Sequence, residues 1–222
     1  MIADAVAPLV ESHARLSLGR ADEAVHATVQ SIFERCAATN GLLVDVGCGR
    51  GNLWRLLRTR FSRCIGVDAV DYDGRPADLD FRHADLNAPL PLPDGCADAV
   101  AAVEVIEHLE HPRALMRELA RITRPGGWVV VTTPNQASAL SILTLLFKER
   151  FAAFQERDYP AHLTALLPID LQRIAEGCGL RQIGVRFTGY GRIPMTAMHY
   201  PRRLAAALPR LLSDNVAVFG RR

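Results

Sequence analysis

Apolar and polar positions along the chain follow two rhythms. Up to about residue 40, apolar side chains recur at helical spacing, most clearly at Ala24, Val25, Val29, Ile32 and Phe33. That spacing predicts helix over 1–40, stopped by Asn40-Gly41. Beyond Gly41 the chain predicts short strands at 42–46, 64–67, 79–83, 97–105 and 127–133, the first two of them apolar runs. Helical stretches fall between them, at 52–60 and after Pro112. Such runs are what strands covered on both faces require. Strands alternating with helices predict a parallel sheet with helices on both sides. The last third predicts an apolar helix at 138–154 with a basic break at Lys148–Arg150, then a helix at 168–178 stopped by Gly179. A strand at 180–188, a short basic amphipathic helix at 201–212 and a final strand at 216–219 follow.

Composition narrows the class. Hydrophobic residues make up 49% and charged residues 23% of 222 residues, too much apolar surface for a disordered chain. The net charge is +2, and the basic residues form local clusters and no stripe, so nucleic acid is not an expected partner. The five cysteines are odd in number and include no CxxC pair, which excludes a disulfide framework or zinc knuckle and fits reduced thiols in a cytoplasmic protein. Met1–Val10 lacks a basic start and contains Asp4, unlike a secretory leader. The apolar run 137–147 is too short to cross a bilayer.

The candidate chemistry starts at the first strand. It ends in Val44-Asp45-Val46 and runs into Gly47-Cys48-Gly49-Arg50-Gly51 before a helix. Glycines let backbone approach a ligand closely, and a helix start offers free N–H groups. Dinucleotide sites use G-x-G-x-x-G, whereas the glycines here fall as G-x-G-x-G and Asn52 takes the third position. Asp45, two residues before the first glycine, is placed to hold a cation such as an amino-acid ammonium. Asp68, ending the second run, is placed to take two ribose hydroxyls. No P-loop lysine is present. The loop therefore asks for a ribose joined to a positive amino-acid end, and S-adenosylmethionine has both.

At this point the chain resembles the class I S-adenosylmethionine-dependent methyltransferases. The resemblance runs in order through VDVGCGRG (44–51), GVD (66–68), HADL (83–86), DAVAAVEVIEHLEHP (98–112) and RPGGWVVVTTPN (124–135). It implies a Rossmann-like α/β fold, with a seven-stranded, mostly parallel sheet, helices on both faces and an antiparallel last strand. It also implies a cofactor site built from Asp45, Gly47, Cys48, Gly49, Gly51, Asp68, Ala69, Asp85, Leu86 and Glu104, with Asp85 accepting from the adenine amino group. No repeat or long linker divides the chain. The expectation is one domain, with a helical cap at 1–40, a cofactor core at 41–135, a substrate lid at 136–167 and a closing helix and strands at 168–222.

The segment Glu104-Val105-Ile106-Glu107-His108 follows the fourth strand. On a helical turn, Glu104, Glu107 and His108 would share one face. Three readings stay open. In them His108 is a general base for an acceptor hydroxyl, the cluster is a ligand set for a divalent cation such as Mg, or the acids are caps that only orient a loop. EVIEH resembles the E-x-x-E-H element of ubiquinone-pathway O-methyltransferases and of enzymes that methylate small-RNA 3′ ends. In those families a later histidine joins the set, and here His162 falls in the corresponding region. By that resemblance Glu104, Glu107, His108 and His162 would be metal ligands, and two acceptor oxygens would complete six-coordination. His108, Glu107 and His162 are the candidate catalytic residues.

The excursion after Thr133-Pro134-Asn135 is apolar and flanked by Lys148, Arg150, Arg202, Arg203 and Arg210. Such a stretch can pack as core, cover an apolar acceptor or lie on a membrane. The pattern resembles bacterial polysaccharide-cluster methyltransferases as well as the ubiquinone-pathway enzymes. The expectation is O-methylation of a hydroxyl on a glycan, lipid-linked or quinone-like small molecule, with S-adenosylhomocysteine as the second product. The setting would be the cytoplasm, with peripheral inner-membrane contact through 138–154 and 201–212. Methylation of nitrogen or carbon, and a non-catalytic cofactor-binding subunit, are the alternatives.

Overall fold

The computed structural model describes residues 21–222. The part of the helical cap expected over 1–20 lies outside the described residues. The first described helix, α1 (Glu23–Arg35), starts at Asp22, whose carboxylate accepts from the Ala24 amide. Then come β1 (Leu42–Val46), α2 (Asn52–Leu57), β2 (Arg63–Asp68), β3 (Leu79–His83) and β4 (Ala97–Val103). α3 (Pro112–Ile122) leads into β5 (Thr123–Pro134), which starts earlier than the apolar run alone implied. The chain ends with α4 (Ala139–Lys148), α5 (Pro168–Gly177), β6 (Arg181–Phe187), α6 (Arg202–Ala207) and β7 (Asn215–Arg221).

The strands form one seven-stranded sheet in the order β3-β2-β1-β4-β5-β7-β6. The pairs from β3 to β5 are parallel, and β7 runs antiparallel to both β5 and β6. The expected mostly parallel sheet with an antiparallel last strand is therefore present.

Alternation along each strand sends successive side chains to opposite faces, and the two faces have separate cores. Val44, Val46, Val100, Ala102, Val129 and Val131 pack with α3 and α5 residues such as Leu119 and Leu171. Leu43, Ala99, Ala101 and Val130 pack with Val29, Ile32 and Phe33 of α1 and Trp54 of α2. Every residue of β1 is buried, Asp45 included, which is why the rest of its sequence is apolar.

β1 is anchored at its start by a distant carboxylate. The Leu42 amide donates to Asp98 Oδ2 at 2.7 Å, and Arg124 Nε donates to Asp98 Oδ1 at 2.6 Å. Gly41, at φ 74°, leaves room for that carboxylate, which a Cβ would strike.

Four helices stop short of their predicted spans, α1 at Arg35 and α2 at Leu57 as well as the two late ones. α4 ends at Lys148 because Glu149 turns into the left-handed region at φ 55°, so 149–154 continue as loop. α6 stops at Ala207 because Leu208 precedes Pro209 and leaves the helical region. No helix among the described residues is long and apolar enough to cross a membrane.

Candidate active site

Parallel strands bring their carboxyl ends to one edge of the sheet, and ligands of such folds collect there. A cavity of about 470 Å³ opens at this edge, reaching from Asp45, Gly47 and Asp68 to Glu107, His108 and His162. Its first wall is the glycine turn. Gly47 has φ 74°, and a Cβ there would collide with the Val105 side chain. Cys48, Ala69 and Leu86 also line this wall. Gly49 and Gly51 do not face the cavity but shape the turn. The Gly49 amide donates to Asp68 Oδ2 at 2.8 Å, and Gly51 starts α2 at φ 71°.

The two aspartates are handled differently. The Val70 amide donates to Asp68 Oδ1 at 3.0 Å, so backbone amides hold each Asp68 oxygen and leave lone pairs toward the cavity. Burial still pushes the Asp68 carboxyl up, against those amides and Arg75. Asp45 is 2% exposed and its carboxyl has no partner among the described residues. Burial first, and then the Asp68 charge, push it up to about 7.

Asp85 takes another place. Its Oδ1 accepts the Asn87 amide at 2.9 Å within its own turn, and Leu86 and Asn87 reach the cavity in its stead.

The EVIEH segment departs from a helical turn. Only Ile106–His108 are helical, as a short 3₁₀ turn, and Glu104 precedes it at φ 54°. Glu104 therefore does not share a face with Glu107 and His108. Its carboxyl accepts Thr132 Oγ1 at 2.8 Å and Asn215 Nδ2 at 2.6 Å. The expected four-residue ligand set is corrected to three. Ligating atoms of Glu107, His108 and His162 lie within 4.8 Å of one another.

Among the described residues both oxygens of Glu107 and the neighbouring Thr133 hydroxyl are buried without a well-formed hydrogen bond, although the hydroxyl is close enough to oppose the effect of burial on the acid. Burial pushes the Glu107 carboxyl up; it pushes Glu104 up as well, with the Glu107 charge adding to the effect. The histidines are fixed by backbone. His108 Nδ1 lies 2.8 Å from the Ala161 carbonyl, and His162 Nδ1 bonds the Ala153 carbonyl. A carbonyl can only accept, so Nδ1 carries the proton and Nε2 keeps its lone pair. Burial lowers the pKa of both imidazoles. The His162 loop is clipped in place because the Leu163 and Thr164 amides both donate to the Glu107 carbonyl, at 2.9 and 3.0 Å.

A residue missed in the sequence is Asn215. It starts β7, and an antiparallel strand starts where its parallel neighbours end, which was the available signal. Asp22 and His26 of the α1 region and Tyr72 also line the cavity.

A family model described as a methyltransferase domain matches residues 19–183. The chain belongs to this methyltransferase family. It is 31% identical to a protein of Mycolicibacterium smegmatis named "Probable S-adenosylmethionine-dependent methyltransferase", over 83% of this chain and 69% of that one. It is 29% identical to a ubiquinone biosynthesis O-methyltransferase of Chromobacterium violaceum, over 71% of each. Among solved structures, a SAM dependent methyltransferase from Archaeoglobus fulgidus superposes with a TM-score of 0.64 at 20% identity, covering 89% of this chain and 94% of that one. That likeness shows the class I Rossmann-like fold. The chain is thus an S-adenosylmethionine-dependent methyltransferase.

The buried Asp45 makes a testable demand on this methyltransferase. Raising its carboxyl from 3.8 to about 7 means that stability is full below about pH 4 and is lost as pH rises through 7. In Asp45→Asn without ligand, the gain in melting temperature over wild type should grow from pH 4 to pH 8. A difference independent of pH would contradict this electrostatic account.

Proposed function

We propose that this methyltransferase acts on a hydroxyl oxygen of a small-molecule acceptor, of the glycan, lipid-linked or quinone-like kind. The supporting observation is the buried Glu107 carboxyl, poorly hydrogen-bonded among the described residues, beside two imidazoles whose Nδ1 atoms are held by backbone carbonyls. A hydroxyl must lose its proton as it attacks, so it gains from a base at this position. An amine acceptor carries its own lone pair and needs the trio less.

The first cavity suits the cofactor. Asp45, an unpartnered buried carboxylate, receives the amino-acid ammonium. The remaining Asp68 lone pairs take the two ribose hydroxyls, and Leu86 lies along the adenine. Bound S-adenosylmethionine supplies the electrophilic methyl group. The chain supplies alignment, which is worth roughly 7–11 kcal/mol when reacting atoms are well placed. His108 and His162 hold or relay the acceptor proton, and Glu107 favours the imidazolium that results.

The same trio fits a divalent cation. Both histidines donate Nδ1–H to backbone carbonyls, the arrangement that fixes metal-ligating imidazoles. Two imidazoles and one carboxylate suit Mn²⁺ or a later transition ion better than Mg²⁺. Such an ion would neutralise Glu107 and polarise an acceptor oxygen.

A lipid-linked acceptor agrees with the outer surface. Leu146 and Phe147 of α4 are 71% and 83% exposed, beside Lys148 and Arg150, and the basic α6 displays Leu204 as well. This face would rest on an anionic membrane surface.

Glu107→Gln and His108→Ala should each lower turnover by roughly 10²–10⁴-fold, with S-adenosylhomocysteine affinity kept, as measured by calorimetry and product formation in host extract. Normal turnover in both variants would remove the trio from the reaction. Excess EDTA separates the two versions: full activity excludes the cation, and activity restored by Mn²⁺ supports it. Leu146→Glu with Phe147→Glu should reduce cosedimentation with phosphatidylglycerol vesicles several-fold; unchanged binding would reject the membrane face.

A further inference from the structure

A second cavity of about 320 Å³ lies beyond the end of β5, between the start of α4 and the start of β7. Its size falls at the low end of the ~300–1,000 Å³ typical of small-molecule sites. Asp22 and Asn215 line both cavities. The wall also includes Ala153, whose carbonyl holds His162. The two cavities therefore share Asp22 and Asn215, and the second reaches the backbone that holds His162.

We infer that this cavity is the acceptor's subsite and that it takes an uncharged, hydroxyl-rich ring of the sugar class. The inference rests on the O-methylation reading and narrows its acceptor.

Gln136 is 2% exposed. Its Nε2 donates to the Pro134 carbonyl at 3.2 Å, and its Oε1 accepts Ser141 Oγ at 2.9 Å. One N–H and one lone pair of the amide remain. Asp214 Oδ2 accepts both the Arg192 amide at 3.1 Å and Arg192 Nε at 3.2 Å. The Nη groups of Arg192 and the Oδ1 of Asp214 have no partner among the described residues. Donor and acceptor thus stand side by side, and a hydroxyl is the group that both donates and accepts. Neighbouring hydroxyls on one ring would engage both.

Tyr190 and His199 stack at 4.1 Å with an interplanar angle of 16° and form a flat aromatic wall. Such a wall suits the apolar face of a sugar ring. A lipid tail or bare quinone would strip water from Gln136, Arg192 and Asp214 and return no hydrogen bonds. A phosphate would meet Asp22 and Asp214, with a single arginine already paired.

The test uses the full chain saturated with S-adenosylhomocysteine, whose binding is confirmed first in the same sample. Methyl α-glycosides of glucose, galactose, mannose and rhamnose are compared with catechol by saturation-transfer NMR. At least one glycoside should receive saturation. Arg192→Met and Tyr190→Ala should each weaken its binding by about tenfold, with thermal melting and S-adenosylhomocysteine affinity unchanged. Transfer to catechol alone, silent glycosides on the S-adenosylhomocysteine-bound protein, or glycoside binding untouched by both variants would overturn the subsite. Any of these leaves the methyltransferase assignment and the role of the trio standing, because those are read from turnover.

Discussion

Four carboxyl groups, Asp45, Asp68, Glu104 and Glu107, crowd the carboxyl edge of the sheet, and each is pushed toward its neutral form by burial. An isolated buried carboxylate is among the costliest groups a fold can hold. The chain treats them unequally. Backbone amides hold Asp68, and side chains from β5 and β7 hold Glu104. Among the described residues Asp45 has no side-chain hydrogen bond, and at Glu107 only the Thr133 hydroxyl and its own backbone oppose the effect of burial. At those two carboxyls the chain itself offsets the cost of burial least. The two cores on either face of the sheet provide the stability that tolerates this cost.

The cost is kept local by topology. Reversing only β7 places Asn215 at the carboxyl end of its neighbours, where it reaches Glu104. Glu104 adopts a positive φ that few residues with side chains adopt, and the two hydrogen bonds keep its carboxyl away from Glu107's companions. The trio is thereby reduced to one acid and two imidazoles. The His162 loop is far away in sequence, yet two amides clip it to the carbonyl of Glu107 itself. The acid and the loop that carries the later histidine are thus tied together through backbone.

Much of this edge was legible in the residues. Apolar runs marked β1 and β2 because both faces of these strands are covered. The glycine turn and the acids at 45 and 68 marked the first cavity because strand ends and helix starts fix where such groups point. What escaped was set by distance along the chain. Glu104 looked like a partner of Glu107 and His108 because i, i+3, i+4 spacing implies a shared helical face. The backbone instead turns at 104, and the residue that captures the Glu104 carboxyl is Asn215, at the far end of the sequence. Asp85 looked like a cavity residue but caps its own turn, a local competition that short acidic side chains often win. The second cavity was invisible for the same reason: its walls come from 22, 134–153 and 190–215, and no spacing rule joins them.

We hold that Asp45, about half protonated at pH 7, loses that proton when the positive end of the cofactor binds. Calorimetry of S-adenosylhomocysteine binding at pH 7, in two buffers of different ionisation enthalpy, measures this directly. The account predicts net proton release on binding at pH 7, diminishing as pH rises well above the Asp45 value of about 7 and abolished in Asp45→Asn. A binding heat that does not depend on the buffer at pH 7 would contradict it.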